Sequence, residues 1–359
     1  MGASSGRIHV NIDEAESNYH GVAYLFDNDP LLPPTVAYFS TPNKERDFSF
    51  RTELIQAIDG ASLQAVPWEN VKDKYPQGTT FAKHADVQGS FDRNALTLLW
   101  VTDVGGSGNC ILPRSKADQP SELVPLDLDW GTYKEHGIDL ASTRPLFRGQ
   151  SKPWRLRTPY HRRGRANLQA FVSKDIPALR RHLSARTKHA FKLEDQDEFG
   201  AFLNLVQHHG YPTPILDWTY SPYVAAFFAY RDITNDEAAS APPEAKVRIL
   251  IFDSAKWMRF FQPVTLLVHP QLHVTVREFI AIENERMIPQ QAASTVTSID
   301  DIETYIRSRG PDYLRAIDLP MRERKQVIRE LSYMNITAGS LFPGFDGACE
   351  ELAELNFEF

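Results

Sequence analysis

Phe199, Phe202, Leu203 and Val206 fall at i, i+3, i+4 and i+7 behind an acidic start at Asp195, Asp197 and Glu198. That spacing predicts an amphipathic helix with favourable charge at its positive end. Gly210 is placed to end it, and the prolines of Tyr211-Pro212-Thr213-Pro214 cannot continue it, so Ile215 to Trp218 should leave as an extended segment. Ser221-Pro222 then reads as an N-cap and first helical position. They open a helix from Val224 to Tyr230 that is apolar on nearly every side and therefore buried.

The N-terminal third has a different pattern. Gly21–Phe26, Thr35–Phe39, Phe48–Leu54, Phe81–Val87 and Ala95–Val101 read as short strands separated by turn-rich segments such as Asp27-Asn-Asp-Pro. The expected fold is an all-β domain over residues 1–115, a sandwich or small barrel with a recognition or regulatory role. Gly105-Gly-Ser-Gly lacks the Lys and Ser/Thr of a phosphate loop and reads as a hairpin turn. Residues 116–143 read as a linker in which a short helix begins at Trp130.

From 144 to 359 strands and helices interleave, as in an α/β or α+β domain. Leu146-Phe147, Val247–Phe252, Val264–Val268, Val274–Ile282 and Tyr313–Leu319 are the strand candidates. Helices are expected over Ile176–Lys188, from Asp253 or Ser254 to Phe261, over Asp300–Arg309 and Met321–Met334, and after Gly347.

Composition narrows the class. With 42% hydrophobic and 24% charged residues, the 359-residue chain is ordinary globular protein, and its net charge of −7 argues against a surface that binds nucleic acid throughout. The charge is uneven: residues 144–190 hold 13 Lys and Arg against the single acid Asp175, leaving 26 basic and 45 acidic residues elsewhere. Two cysteines without metal-type spacing and the lack of a long apolar run lead to the expectation of a cytoplasmic protein with no metal and no membrane span.

The densest chemistry lies at Gln207–Ala229. Asp217 falls in a connection between two helices, near His208, His209, Trp218, Thr219 and Tyr220, and a carboxylate there must find donors or stay wet. Either Asp217 and Thr219 fasten the turn, or the group lines a ligand cleft. Arg148, between Phe147 and Gly149 at a strand end, offers a guanidinium for a phosphate or carboxylate, while the surrounding arginines read as a solvated basic face.

Four segments together resemble the FRG domain family, named for its Phe-Arg-Gly motif: Phe147-Arg148-Gly149-Gln150; Gln207-His208-His209-Gly210 through Asp217-Trp218-Thr219 and Ser221-Pro222; Arg286-Met-Ile-Pro-Gln290-Gln291; and Ser340-Leu-Phe-Pro-Gly-Phe-Asp346-Gly. The resemblance spans roughly 140–356. It implies an α+β core similar to the ADP-ribosyltransferase fold, NAD as substrate or ligand, and a role among bacterial toxins or phage-defence components. On that reading Asp217, Gln290 and His208 take catalytic positions. Arg148, Gly149, Gln150, His209, Trp218, Thr219 and Tyr220 bind the ligand, with Trp218 or Tyr220 stacking on a base. Gln290 stands where such transferases carry a glutamate, and because an amide cannot act as a base, Glu283, Glu285 or Asp217 would take that duty.

The resemblance thus points to an NAD glycohydrolase or ADP-ribosyltransferase acting on a protein target or trigger not named by the sequence. A non-catalytic nucleotide-binding module is the alternative. Nucleic-acid binding by the arginine-rich stretch 144–188 ranks third.

Overall fold

The computed structural model describes residues 4–141, 143–264 and 267–358. By contact the chain forms two units. The first holds the residues up to Lys116, together with Tyr160–Leu183 and the segment ending at Leu272; the second holds Ala117–Pro159, the stretch from Ser184 to 264, and His273 onward.

In the first unit nine strands form two antiparallel sheets. One contains β1 (Gly6–Glu14), β2 (Tyr19–Asp27), β3 (Thr35–Ser40), β5 (Leu54–Ile58) and β6 (Ala65–Val66), and the other β4 (Asp47–Arg51), β7 (Ala85–Phe91), β8 (Ala95–Thr102) and β9 (Ser107–Pro113). Ala85, Val87 and Leu98 of the second sheet pack against Val10 and Ile55 of the first, so the arrangement is a sandwich. The expected strand Phe48–Leu54 is in fact two: the chain stops pairing at Thr52-Glu53 and passes from one sheet to the other. The strand expected from Phe81 begins only at Ala85.

The helical stretch 160–183 is fastened to the end of β1. Asp13, fully buried, pairs with Arg165 and accepts the N–H groups of Ala166 at 2.6 Å and Asn167 at 2.9 Å. The helix expected over Ile176–Lys188 closes at Leu183.

His9 on β1 stacks against Tyr24 at 4.8 Å, and burial, with help from the Arg7 charge, lowers its pKa to about 4. Below pH 6.5 the unfolded chain takes up a proton that the folded one refuses, so this group removes stability as the pH falls from 6.5 towards 4. His9→Phe should flatten the acid limb of the stability curve by about 2–3 kcal/mol at pH 4, read from urea melts at pH 7, 5.5 and 4.

The second unit is built on a seven-stranded mixed sheet. Its order is β10 (Leu126–Asp127), β16 (Leu314–Pro320), β13 (Lys246–Phe252), β11 (Leu146–Gln150), β12 (Ile215–Thr219), β15 (Ala292–Thr297) and β14 (Val274–Arg277), with only the β10–β16 pair parallel. Alternation sends Phe147, Ile249 and Ile317 to one face, beneath helices Trp130–Ala141, Pro222–Tyr230 and Arg324–Tyr333. Leu146, Leu250, Phe252 and Trp218 face the other side, where Trp257 and Ile306 bring in the helices Ser254–Phe260 and Ile302–Arg307. Trp130 and Tyr133, in the stretch read from sequence as a linker, are fully buried in the first of these cores.

Both predicted helix signals behave as their chemistry requires. Asp195 accepts from the N–H groups of Asp197 and Glu198, and the helix Gln196–His208 ends where Gly210 takes a left-handed φ of 84°, with Tyr211 N–H bonded to the Val206 carbonyl. Ser221 caps Val224 N–H, and all of Val224–Phe227 is buried. Two strand expectations differ. β14 ends at Arg277, and of Val264–Val268 the described residues 264, 267 and 268 are not in a strand, while 265 and 266 lie outside the described residues.

Candidate functional site

β11 and β12 are neighbours in the sheet, yet they pair at a single position, Phe147 with Thr219. β11 meanwhile pairs with β13 along its whole length, and β12 does the same with β15. From this pair towards Gln150 on β11 and Ile215 on β12 the two strands are unpaired, and the Arg148 side chain bridges the division: its Nη1 donates to the main-chain carbonyl of Asp217 at 2.6 Å.

Gly149 explains why the third motif residue has no side chain. A Cβ there would lie 1.9 Å from the Ala225 carbonyl oxygen and 2.6 Å from the Ala229 nitrogen, both in the main chain of the buried helix Pro222–Tyr230. The small residues Ala225, Ala226 and Ala229 and the glycine let helix and strand approach until backbone touches backbone. Gln150, nearly buried, donates from its amide to the Trp154 carbonyl at 2.9 Å and so fixes the chain leaving β11.

On β12 the alternation is decisive. Leu216 and Trp218 point into the core, and the Trp218 indole N–H donates to Thr295 Oγ1 at 2.9 Å. Trp218 is 3% exposed, so its ring is closed off from a ligand. Asp217 points the opposite way and is exposed. Both of its oxygens accept from Gln207 Nε2 at 2.6 Å, while the carbonyl end of that amide accepts the hydroxyl of Thr213. The carboxylate is thus held in one orientation by the last turn of the helix Gln196–His208.

The remaining motif residues join through the loop 283–291, which has the left-handed residues Glu283 and Gln291 at its two ends. Thr219 Oγ1 donates to the Gln290 main-chain carbonyl at 2.7 Å, and Tyr220 N–H donates to that of Gln291 at 3.1 Å. The Gln290 side chain turns to the Leu341 carbonyl at 3.0 Å. His208 contacts Asn284 Oδ1 through Nδ1 at 2.7 Å and stacks on His209, which is exposed. Burial and the neighbouring Arg286 and His209 lower the His208 pKa despite the Asn284 contact. The Tyr220 hydroxyl donates to Glu278 and its ring lies under Arg144, 5.0 Å from ring centre to guanidinium carbon; burial and Glu278 raise its pKa to about 12.

Arg286 and Arg231 both pack on Phe342, at 4.9 and 4.1 Å from the ring centre. Arg231 is held in a fork by Glu350, whereas Arg286 has a buried Nε without a hydrogen-bond partner, and burial together with the Arg231 charge lowers its pKa. Such a guanidinium gains from an added anion.

The four motifs therefore touch one another. Arg148 meets Asp217, Thr219 meets Gln290, and Gln290 meets Leu341, but the side-chain ends of Gln290 and His208 are engaged with Leu341 and Asn284 instead of with Asp217. Gln207, Asn284 and Arg286 are the participants that sequence reading passed over as individual residues. Gln207 sits in the last turn of a helix that closes over an acid, a placement that marks it as a carboxylate donor once the helix end is fixed.

Three arginines of the basic stretch are neutralised, mainly by acids distant in sequence. Arg155 is buried with Asp301, Glu122 and Glu303; Arg157 pairs with Asp300, and Arg165 with Asp13 and Asp175. Among the described residues no group of three or more His, Cys, Asp or Glu is placed to hold a metal, and no helix is long and apolar enough to cross a membrane.

No curated protein and no solved structure matches the chain. The family model of the FRG domain matches residues 143–238, which take in β11, the helix Gln196–His208, β12 and the buried helix Pro222–Tyr230, and the chain therefore carries an FRG domain.

Proposed function

We propose that the FRG unit binds a nucleotide of the NAD type at the division between β11 and β12 and cleaves its nicotinamide–ribose bond, as an ADP-ribosyltransferase-like enzyme or glycohydrolase. The observation that carries this reading is the Arg148–Asp217 pair: a strand-borne guanidinium held across split strands, next to an exposed carboxylate aimed by Gln207.

In this reading Arg148 and Arg286 face the diphosphate, and the Asp217 carboxylate stands against C1′ of the nicotinamide ribose. As the C1′–N bond breaks, its electron pair leaves on nicotinamide and positive charge gathers at C1′, which a fixed anion stabilises more in the transition state than in the ground state. Water or a nucleophile on a target protein then attacks C1′ and loses its proton to Asp217. Gln290 orients the loop and does not titrate. His208, kept neutral near pH 7 by its lowered pKa, serves as a hydrogen-bonding group.

Incubating the protein with NAD should release nicotinamide, and Asp217→Asn should lower the rate by about 10²–10³-fold with the thermal midpoint unchanged. A wild-type protein that releases none, or an Asp217→Asn variant as fast as wild type, contradicts the assignment. One observation favours a non-catalytic module instead: Gln207 already occupies both Asp217 oxygens. Stabilisation by ADP-ribose without turnover would select that reading.

A further inference from the structure

One end of the β-sandwich in the first unit opens into a cleft of about 700 Å³, within the size range of small-molecule sites. Its walls come from both sheets. Val10 and Ile12 on β1 face Leu96 on β8 and Leu112 on β9, and Phe91 closes the side where β7 ends.

The rim is basic. Arg46 precedes β4, Arg93 lies in the β7–β8 turn, and Arg114 follows β9, so three separate segments each bring an arginine to the lining of one cleft. The acid at this mouth is Asp92, and its carboxylate accepts the N–H groups of Asn94 at 2.7 Å and Ala95 at 2.9 Å. Those bonds lock the turn that carries Arg93. Within the described residues no hydrogen bond or ion pair engages the guanidinium of Arg46 or Arg93. Arg46 is tied in place through its backbone, whose carbonyl accepts Phe91 N–H at 3.1 Å, and Arg114 likewise through its N–H to the Asn94 carbonyl at 2.7 Å.

An apolar slot with a cationic mouth selects a ligand with an apolar body and one anionic head. We propose that this cleft is a binding site for an amphipathic anion, an unbranched apolar chain that ends in a carboxylate or phosphate. The chain lies between Val10, Ile12, Leu96 and Leu112, and the head sits among Arg46, Arg93 and Arg114. A bare anion lacks the apolar contribution, and an amphipathic cation meets the guanidinium groups of Arg46 and Arg93, against which Asp92 is the acid of the lining. The FRG residues play no part in it, so the proposal stands or falls apart from the nucleotide reading.

The test uses the full chain and dodecanoate below its micelle concentration, followed by displacement of the fluorescent probe 8-anilinonaphthalene-1-sulfonate. Parallel titrations use dodecyl phosphate, dodecylammonium and acetate. Dodecanoate or dodecyl phosphate should displace the probe, the tighter of the two naming the preferred head group, while dodecylammonium and acetate fail. Because Arg46 and Arg93 are exposed, the double variant Arg46→Glu, Arg93→Glu should keep the wild-type melting midpoint and bind at least about tenfold more weakly. Backbone amide shifts at Val10, Ile12 and Leu112 on adding dodecanoate provide a second readout independent of the variant. Equal displacement by dodecanoate and dodecylammonium, an unaffected double variant, or shifts confined to other residues overturns the proposal.

Discussion

Gly149→Ala is expected to unfold the second unit or displace its buried helix, with a loss of about 3 kcal/mol or more. A methyl group at this position would sit 1.9 Å from one main-chain atom and 2.6 Å from another, and main-chain atoms of a helix packed on a sheet cannot turn aside as a flexible side chain does. The helix Pro222–Tyr230 also packs over β11, β13 and the helix Arg324–Tyr333 and is buried over most of its length, so moving it away from β11 opens gaps on several sides. Ala225→Gly in the same chain leaves the clashing carbonyl in place and should not rescue the variant. Urea denaturation, with melts followed at Trp130 and Trp257, measures the effect; a Gly149→Ala protein as stable as wild type would show that helix and strand do not approach in this way.

The second large effect concerns Arg248 and Asp318. They face each other on adjacent central strands, 5% and 7% exposed in their side chains, joined by two parallel bonds of 2.7 and 2.8 Å. Arg248→Met should cost about 3–5 kcal/mol, because it strands a buried carboxylate. The double change Arg248→Met, Asp318→Leu should recover most of that loss, since both desolvation penalties vanish together. A double variant as unstable as the single one would mean that the pair contributes more than its own neutralisation.

What could be read in advance follows the range of the interactions responsible. Helix caps at Asp195 and Ser221 and the stop at Gly210 are set by a few consecutive residues, and the chain carries them openly. The break at Thr52-Glu53 is different, because Phe48 to Leu54 is β-prone throughout and only pairing with β7 on one side and β3 on the other divides it. β1 carries the alternation of a half-buried strand, with Ile8, Val10 and Ile12 between Arg7, His9, Asn11 and Asp13, but nothing local marks Asp13 as the buried anchor of the 160–183 stretch. The arginine-rich segment looked like a basic face because Asp301, Asp300 and Asp13, which pair with Arg155, Arg157 and Arg165, each lie more than 140 residues away in sequence.

The site was legible as a set of motifs but not as an arrangement. Strand alternation alone separates Trp218 from Asp217, sending the indole inward and the carboxylate out. The link from Arg148 to the Asp217 carbonyl needs the pairing of β11 with β12 to stop after one position, which no local pattern records. The Gln290 side chain is used to bind the Leu341 carbonyl, a contact between segments 51 residues apart that no local pattern shows.

The central claim is that Arg148 and Asp217 together form a nucleotide site. Calorimetric titration of ADP-ribose into the wild-type protein and into Arg148→Gln tests it most directly. One site per chain is expected in the wild type and an affinity at least about tenfold lower in the variant, both titrated well below their melting midpoints. ADP-ribose that fails to bind the wild type, or binds both proteins equally, would contradict it.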